Sequence, residues 1–81
     1  MALNSKAYAI RQGKTIRKHR YLNEMTQQNL ADKIGIPRSV LSYIENGRVA
    51  ATDQTLVEIA RALGIFITDL DIPEEPDDRE Q

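Results

Sequence analysis

Apolar residues recur at helical spacing in two short, adjacent segments between residues 26 and 47. The first segment begins at Thr26, whose hydroxyl is placed to accept hydrogen bonds from the first free amides of a helix. It ends at Gly35, because glycine adopts a positive φ at little cost. Its apolar residues, which share one helical face, are Leu30, Ala31 and Ile34. The pattern therefore predicts a short helix followed by a sharp turn.

The second segment begins near Pro37, because proline is tolerated in the first turn of a helix, and Asn46-Gly47 ends it. The residues predicted to face inward are Val40, Leu41 and Ile44. The opposite, polar and nearly acid-free face holds Arg38, Ser39, Ser42, Tyr43 and Asn46. Two such helices make a poor core, but they aim one exposed face at a partner.

The rest of the chain predicts further helices. The first runs from about Ser5 to residue 21 or 22, and Gly13 weakens it by about 1 kcal/mol, so it is either continuous, in two pieces or late to start. Another begins after Thr52 and ends at Gly64, and the apolar residues that share its inward face are Leu56, Ile59, Ala60 and Leu63. Residues 65–72 fit a last helical turn or a short strand, and we favour the helix.

Composition limits the class of protein. The 81 residues make one small domain, with no cysteine for a disulfide or thiolate metal site and a single histidine, His19. We therefore predict no metal and no cofactor. No carboxylate pair, nucleophile with a base, or phosphate-binding loop is present, which argues against an enzyme. The longest apolar run, residues 65–67, is far short of a membrane span, so we expect a soluble, cytoplasmic protein with no membrane partner.

The net charge of −1 hides a segregation of charge along the chain. Residues 1–68 carry ten Lys and Arg against five acids, whereas residues 69–81 carry seven acids and one arginine. A basic body is typical of a phosphate-binding surface. Residues 73–81 have nothing apolar to bury, so we predict a domain over residues 1–72 and a disordered acidic tail over 73–81.

An ordered set of motifs over residues 16–70 resembles the Cro/cI, or xenobiotic-response-element, helix-turn-helix family. The matching motifs are Ile16-Arg17-x-x-Arg20, Thr26-Gln27-x-x-Leu30-Ala31, Ile34-Gly35-Ile36, Leu41-Ser42-x-Ile44-Glu45-Asn46-Gly47, Leu56-x-x-Ile59-Ala60-x-Ala62-Leu63-Gly64 and Asp69-Leu70. The resemblance implies an all-α, compact five-helix, lambda-repressor-like domain with its helix-turn-helix at about residues 27–46. It also implies binding to double-stranded DNA, usually as a homodimer.

Carried over by position, the resemblance assigns roles to single residues. It implies that Pro37, Arg38, Ser39 and Tyr43 face the bases, and that Gln27, Asn46 and Arg48 hold phosphates. Ser42, on the same outward face, is a further DNA-binding candidate, although Ser39 and Ser42 are also consistent with ordinary surface residues. It implies a partly buried, structural salt bridge between Arg20 and Glu45. His19 takes a usually apolar position, where we expect a partly buried, structural histidine.

Departures from the family pattern also carry predictions. Glu24 replaces the usual turn glycine, so we expect Asn23 or a longer loop to absorb the bend. Phe66 replaces a usual polar cap. Such an aromatic can fill the core, but together with Ile67 and Leu70 it also makes an apolar patch suited to a two-fold interface, which we prefer.

The sequence thus predicts a sequence-specific regulator, a homodimeric repressor reading a near-palindromic operator through the major groove. The alternative is the antitoxin of a toxin–antitoxin pair, which binds a partner protein as well as its own operator. The sequence gives neither the operator nor the regulated genes.

Overall fold

The computed structural model of the protein describes residues 5–70, except for the side chain of Ser5. Its elements are α1 (Ser5–Leu22), α2 (Gln27–Ile34), α3 (Arg38–Glu45), α4 (Asp53–Leu63) and a 3-10 turn (Ile67–Asp69). Helix α3 packs against α1 and α2, α4 packs against α2 and α1, and the 3-10 turn packs against α4. The predicted acidic tail lies outside the described residues.

The all-α class is confirmed, but the prediction of five helices differs in its last member. Residues 5–70 contain four α-helices and one 3-10 turn in place of a fifth helix. The amide of Phe66 donates to the Asp69 carboxylate at 3.0 Å, and the Asp69 amide donates back to the Phe66 carbonyl at 2.9 Å. These two bonds close a single 3-10 turn, so residues 67–69 form the favoured helical turn and not a strand, but the turn is of the 3-10 and not the α type.

The ends of α2 follow the local signals in the sequence. The Thr26 hydroxyl accepts from the Asn29 amide at 3.0 Å, and the Asn29 side chain accepts from the Thr26 amide at 3.2 Å. This reciprocal capping box satisfies two otherwise free donors. Gly35 ends the helix with φ +78°, a conformation that other residues resist. The turn to α3 is therefore fixed at both ends by short-range chemistry.

Gly13 lies inside one continuous α1 and does not interrupt it. It is buried where α1 crosses the carboxyl end of α3: a Cβ placed on it would lie 2.4 Å from the Ile44 carbonyl oxygen and 2.5 Å from that of Glu45. The two backbones approach this closely only because the residue has no side chain. The loss of helix propensity is offset by packing, and α3 is held directly against α1.

The turn between α1 and α2 corrects another prediction. Glu24 itself takes the left-handed conformation, with φ +56°, and Asn23 does not absorb the bend. The Asn23 side chain instead donates to the His19 carbonyl at 2.8 Å. His19 is half-buried, as expected. A charged residue thus occupies a backbone conformation that favours glycine.

A single apolar core holds the helices together. Its members come from all four helices and the residue that follows the 3-10 turn: Ile16, Leu30, Ala31, Leu41, Ile44, Leu56, Ile59, Ala60, Leu63 and Leu70. Since α3 contributes its two buried aliphatic residues to this core, the opposite face of α3 points away from the bundle.

Candidate nucleic-acid interface

Helix α3 presents a polar face to solvent. Arg38, Ser39 and Tyr43 are exposed, Ser42 is half-buried, and the face contains no carboxylate because Glu45 is buried. Val40 was predicted to face inward, but it is 38% exposed. The helices packed against α3 cover Leu41 and Ile44, and position 40 lies at the edge of that contact. The exposed face is therefore wider and less polar than the sequence predicted.

The Glu45 carboxylate fixes the carboxyl end of α3. Its side chain is completely buried and receives two hydrogen bonds from Arg20, at 2.7 and 2.9 Å, in a bidentate pair. The ion pair predicted from the resemblance is present, and it is more deeply buried than expected. Arg20 also donates to the Met25 carbonyl at 2.8 Å, so one guanidinium ties together α1, α3 and the turn before α2.

Two further groups converge on the same carboxylate. Gln27 Nε2 donates to Glu45 Oε1 at 3.0 Å, and Arg17 Nε lies 3.6 Å from that oxygen. Burial alone raises the pKa of Glu45, but the hydrogen bonds from Arg20 and Gln27 and the charges of Arg20 and Arg17 outweigh it, so the pKa lies below its ordinary value. Glu45 is therefore a permanent anion at neutral pH that orients donors around it.

Gln27 is the first residue of α2 and connects this buried centre to the surface. While its amide nitrogen donates to Glu45, its oxygen accepts a 3.4 Å hydrogen bond from Arg38. The first turn of α2 contains no acid, and its free amides and helix dipole favour an anion. We call the cleft beside this helix end the α2 groove; it measures about 570 Å³ and is lined by Arg17, Arg20, Tyr21, Met25, Thr26, Gln27, Gln28 and Arg38.

The segment after α3 carries the remaining predicted residues. Asn46 Oδ1 accepts from Arg17 at 2.7 Å, and its amide nitrogen donates to Ser42 at 3.3 Å. The Arg48 guanidinium lies over the Tyr43 ring, 5.3 Å from the ring centroid. Asn46, Arg48 and Tyr43 thus lie together at one end of the polar face, and Arg38 and Gln27 lie together at the other.

Arg17 is a site residue that sequence reasoning missed. It contacts Glu45 and Asn46 and lines the α2 groove, yet the motif Ile16-Arg17-x-x-Arg20 gave it no role. The available signal was its spacing, because residues three apart on a helix share a face with each other and Arg20 already had a partner.

The three residues of the predicted dimer patch differ in exposure. Phe66 is 79% exposed and Ile67 is 39% exposed, so both are available to a partner. Leu70 is completely buried in the core of its own chain, and its assignment to an interface was wrong. The backbone turn at residues 67–69 directs its side chain toward α4 and away from solvent.

None of the helices in residues 5–70 is long and apolar enough to cross a bilayer. No group of three or more His, Asp or Glu in that part of the chain is arranged to hold a metal ion.

A short helix-turn-helix with an exposed, acid-free second helix beside a basic groove is typical of DNA-binding helix-turn-helix proteins. Comparison with known proteins agrees. A family model described as helix-turn-helix matches residues 14–70. The chain belongs to this helix-turn-helix family, in its Cro/cI type.

Individual relatives share most of this domain. An uncharacterised HTH-type transcriptional regulator of Methanothermobacter thermautotrophicus is 39% identical over 62 residues, covering 69% of this chain and 90% of that protein. Endothelial differentiation-related factor 1 of Rattus norvegicus is 37% identical over 60 residues, which are 74% of this chain and 40% of that protein. The chain thus matches less than half the length of the rat protein.

A solved structure is similar to the whole bundle. The restriction-modification controller protein C.AhdI from Aeromonas hydrophila matches with a TM-score of 0.76 and 26% identity, covering 79% of this chain and 97% of that one.

Proposed function

We propose that the protein is a homodimeric repressor that reads a near-palindromic operator by placing α3 in the major groove. The observation that carries this proposal is the acid-free face of α3, exposed beside the anion-suited end of α2. The similarity to a controller protein over nearly its whole length supports a regulatory role.

The exposed residues divide into those that specify and those that position. Arg38, at the start of α3, offers two donors to guanine O6 and N7, a contact worth about 1–3 kcal/mol of discrimination. Pro37, Ser39, Ser42 and Tyr43 make the rest of the base-facing surface, with the Tyr43 ring suited to a thymine methyl group.

The phosphate contacts follow from the hydrogen bonds. Gln27 gives one amide hydrogen to Glu45, which leaves the second for a phosphate oxygen at the end of α2. Asn46 and Arg48 play the same part at the other end of α3. Since each of these side chains already has an internal partner, little side-chain freedom is lost when DNA binds.

A two-fold dimer is proposed from the exposed aromatic Phe66 and its neighbour Ile67. In such a dimer the two α3 helices lie about 34 Å apart and contact half-sites one turn of DNA apart. A dimer bound across a promoter blocks polymerase sterically, and this needs only the DNA-binding face.

Selection from random duplexes followed by sedimentation tests both parts. We expect an enriched symmetric sequence and a dimer, and we expect Phe66→Ser to shift the protein to monomer and weaken operator binding. Val57→Ser is the control, because Val57 is an exposed apolar residue on α4 that lies outside the α2 groove and outside the predicted dimer patch. Recovery of no symmetric sequence, or a Phe66→Ser protein that remains dimeric, would contradict the proposal.

A further inference from the structure

An exposed face of α1 remains outside the surface described so far. We call it the α1 flank: a shallow groove of about 500 Å³ lined by Lys14, Arg17, Lys18, Tyr21 and Leu22. Tyr21 and Leu22, at the end of α1, are 64% and 68% exposed, so two large side chains that are mostly apolar face water. The lining has three cations and no carboxylate.

The α1 flank is continuous with the α2 groove. Arg17 and Tyr21 line both, so a ligand that lies over the end of α2 meets the flank next. Arg17 is held by Asn46 at 2.7 Å, which places the junction directly beside α3. The two grooves therefore form one band of positive charge running outward from the base-facing helix.

The lysines of the flank are unpaired within the part of the chain that the structure describes. Lys14 and Lys18 are exposed, and the ion pairs of residues 5–70 do not include them. By contrast, Arg17 and Arg20 have Glu45, and Arg61 has Glu58. Uncompensated cations in a row with a phosphate-suited groove have the charge that a polyanion requires.

We propose that the α1 flank binds the sugar-phosphate backbone of duplex DNA outside the operator half-site. This inference rests on the proposed function and extends its footprint. Lys14 and Lys18 are separated by one helical turn, about 6 Å, which is comparable to the distance between successive phosphates of one strand. Tyr21 and Leu22 lie one further helical turn along α1, where they offer an apolar surface to the deoxyribose beyond the phosphate held by Lys18.

The test compares one operator in two lengths. Wild-type protein and Lys14→Gln/Lys18→Gln are titrated onto a fluorescent duplex cut to the selected symmetric sequence, and onto the same sequence extended by about eight base pairs on each side. Glutamine keeps the helix propensity of lysine, so folding is retained. The charge-matched control is Lys33→Gln/Arg61→Gln, two exposed cations at the junction of α2 and α4 that line neither groove.

The expected result is a loss that depends on duplex length. If each lysine contributes one phosphate contact with a salt slope of about 0.9, the double variant loses about 30-fold in affinity for the long duplex at 0.15 M salt, per bound protomer. Its log–log salt slope falls by about 2, while binding to the short duplex changes several-fold less. The control variant shows no difference between the two duplexes.

Equal losses on the short and long duplexes would overturn the inference, because the lysines would then act through general charge or by holding the chain's own acidic segment. Wild-type protein that binds neither duplex would overturn the proposed function itself, and the inference with it.

Discussion

The buried carboxylate at the end of α3 allows a prediction of stability from geometry. Glu45→Ala removes a side chain that is completely buried and leaves Arg20, whose side chain is 6% exposed, with the Met25 carbonyl as its remaining acceptor. Removing one member of a buried ion pair costs about 3–5 kcal/mol, because the other charge is left uncompensated. Gln27 also loses the acceptor that orients it.

This loss is large for a chain of this size. At about 0.05–0.15 kcal/mol per residue, 81 residues give a total stability of about 4–12 kcal/mol. For a urea slope near 1.5 kcal/mol/M, the unfolding midpoint of Glu45→Ala is expected to fall by about 2–3 M. The assay is urea unfolding followed by circular dichroism at 222 nm, with the wild-type slope as the check for two-state behaviour.

Two comparisons make the result decisive. Glu58→Ala removes a carboxylate from a surface pair, 4.0 Å from Arg61, and is expected to cost less than about 0.5 kcal/mol. Arg20→Met/Glu45→Leu removes both buried charges and is expected to recover most of the loss, except about 1 kcal/mol for the hydrogen bond to Met25. A Glu45→Ala cost no greater than that of Glu58→Ala would refute the reasoning.

Three further predictions use the same unfolding assay. Gly13→Ala forces the backbones of α1 and α3 apart, because its Cβ would lie 2.4 Å from the Ile44 carbonyl oxygen, and we expect a loss of about 1–3 kcal/mol in the free energy of unfolding despite the gain in helix propensity. The control is Lys14→Ala at the exposed neighbouring position, which should change the free energy of unfolding by under about 0.5 kcal/mol. Glu24→Gly relieves a positive φ of 56° and should stabilise by up to about 1 kcal/mol, whereas Glu24→Ala, which keeps a Cβ, should give no such gain. The folded-state pKa of Glu45 lies below its ordinary value of 4.5, so the stability that the ionised carboxylate contributes is present above pH 4.5 and is lost as the pH falls through the lower folded value. Glu45→Gln should therefore lower the free energy of unfolding at neutral pH and reduce its fall at acid pH, and an unchanged fall at acid pH would count against the Arg20–Glu45 pair.

Local signals in the sequence were sufficient for the helix ends and for most of the core. Thr26, Gly35 and Gly64 act within one turn of themselves, so their capping roles could be predicted without knowledge of the fold. The aliphatic residues at helical spacing in α2 and α4 identified the buried faces for the same reason.

The errors arose where a distant segment decides the outcome. Gly13 looked like a weak point of α1, and only the approach of α3 shows why a side chain is excluded there. Leu70 was assigned to an interface because its segment is apolar, but the 3-10 turn buries it in the core. Val40 was placed inward by periodicity, but the helices packed against α3 cover Leu41 and Ile44 and leave Val40 38% exposed.

The candidate site was foreseen as a set of positions and not as a network. The family resemblance predicted the pairing of Arg20 with Glu45, and the polar face of the second segment predicted that Arg38 and Tyr43 are exposed. Arg17 and Gln27 both contact the Glu45 carboxylate from positions 18 or more residues away in sequence. The hydrophobic periodicity within a single segment cannot predict such a contact between segments.

In the proposed complex, the exposed face of α3 reads base edges while the end of α2 holds the DNA backbone. Affinities of wild type, Arg38→Ala and Gln27→Ala for the selected operator, and for every single-base-pair variant of it, test this claim directly. Arg38→Ala should lose about 1–3 kcal/mol of discrimination at one position in each half-site, whereas Gln27→Ala should weaken all duplexes by a similar factor. Wild-type discrimination retained by Arg38→Ala, or the same uniform loss in both variants, would contradict the account.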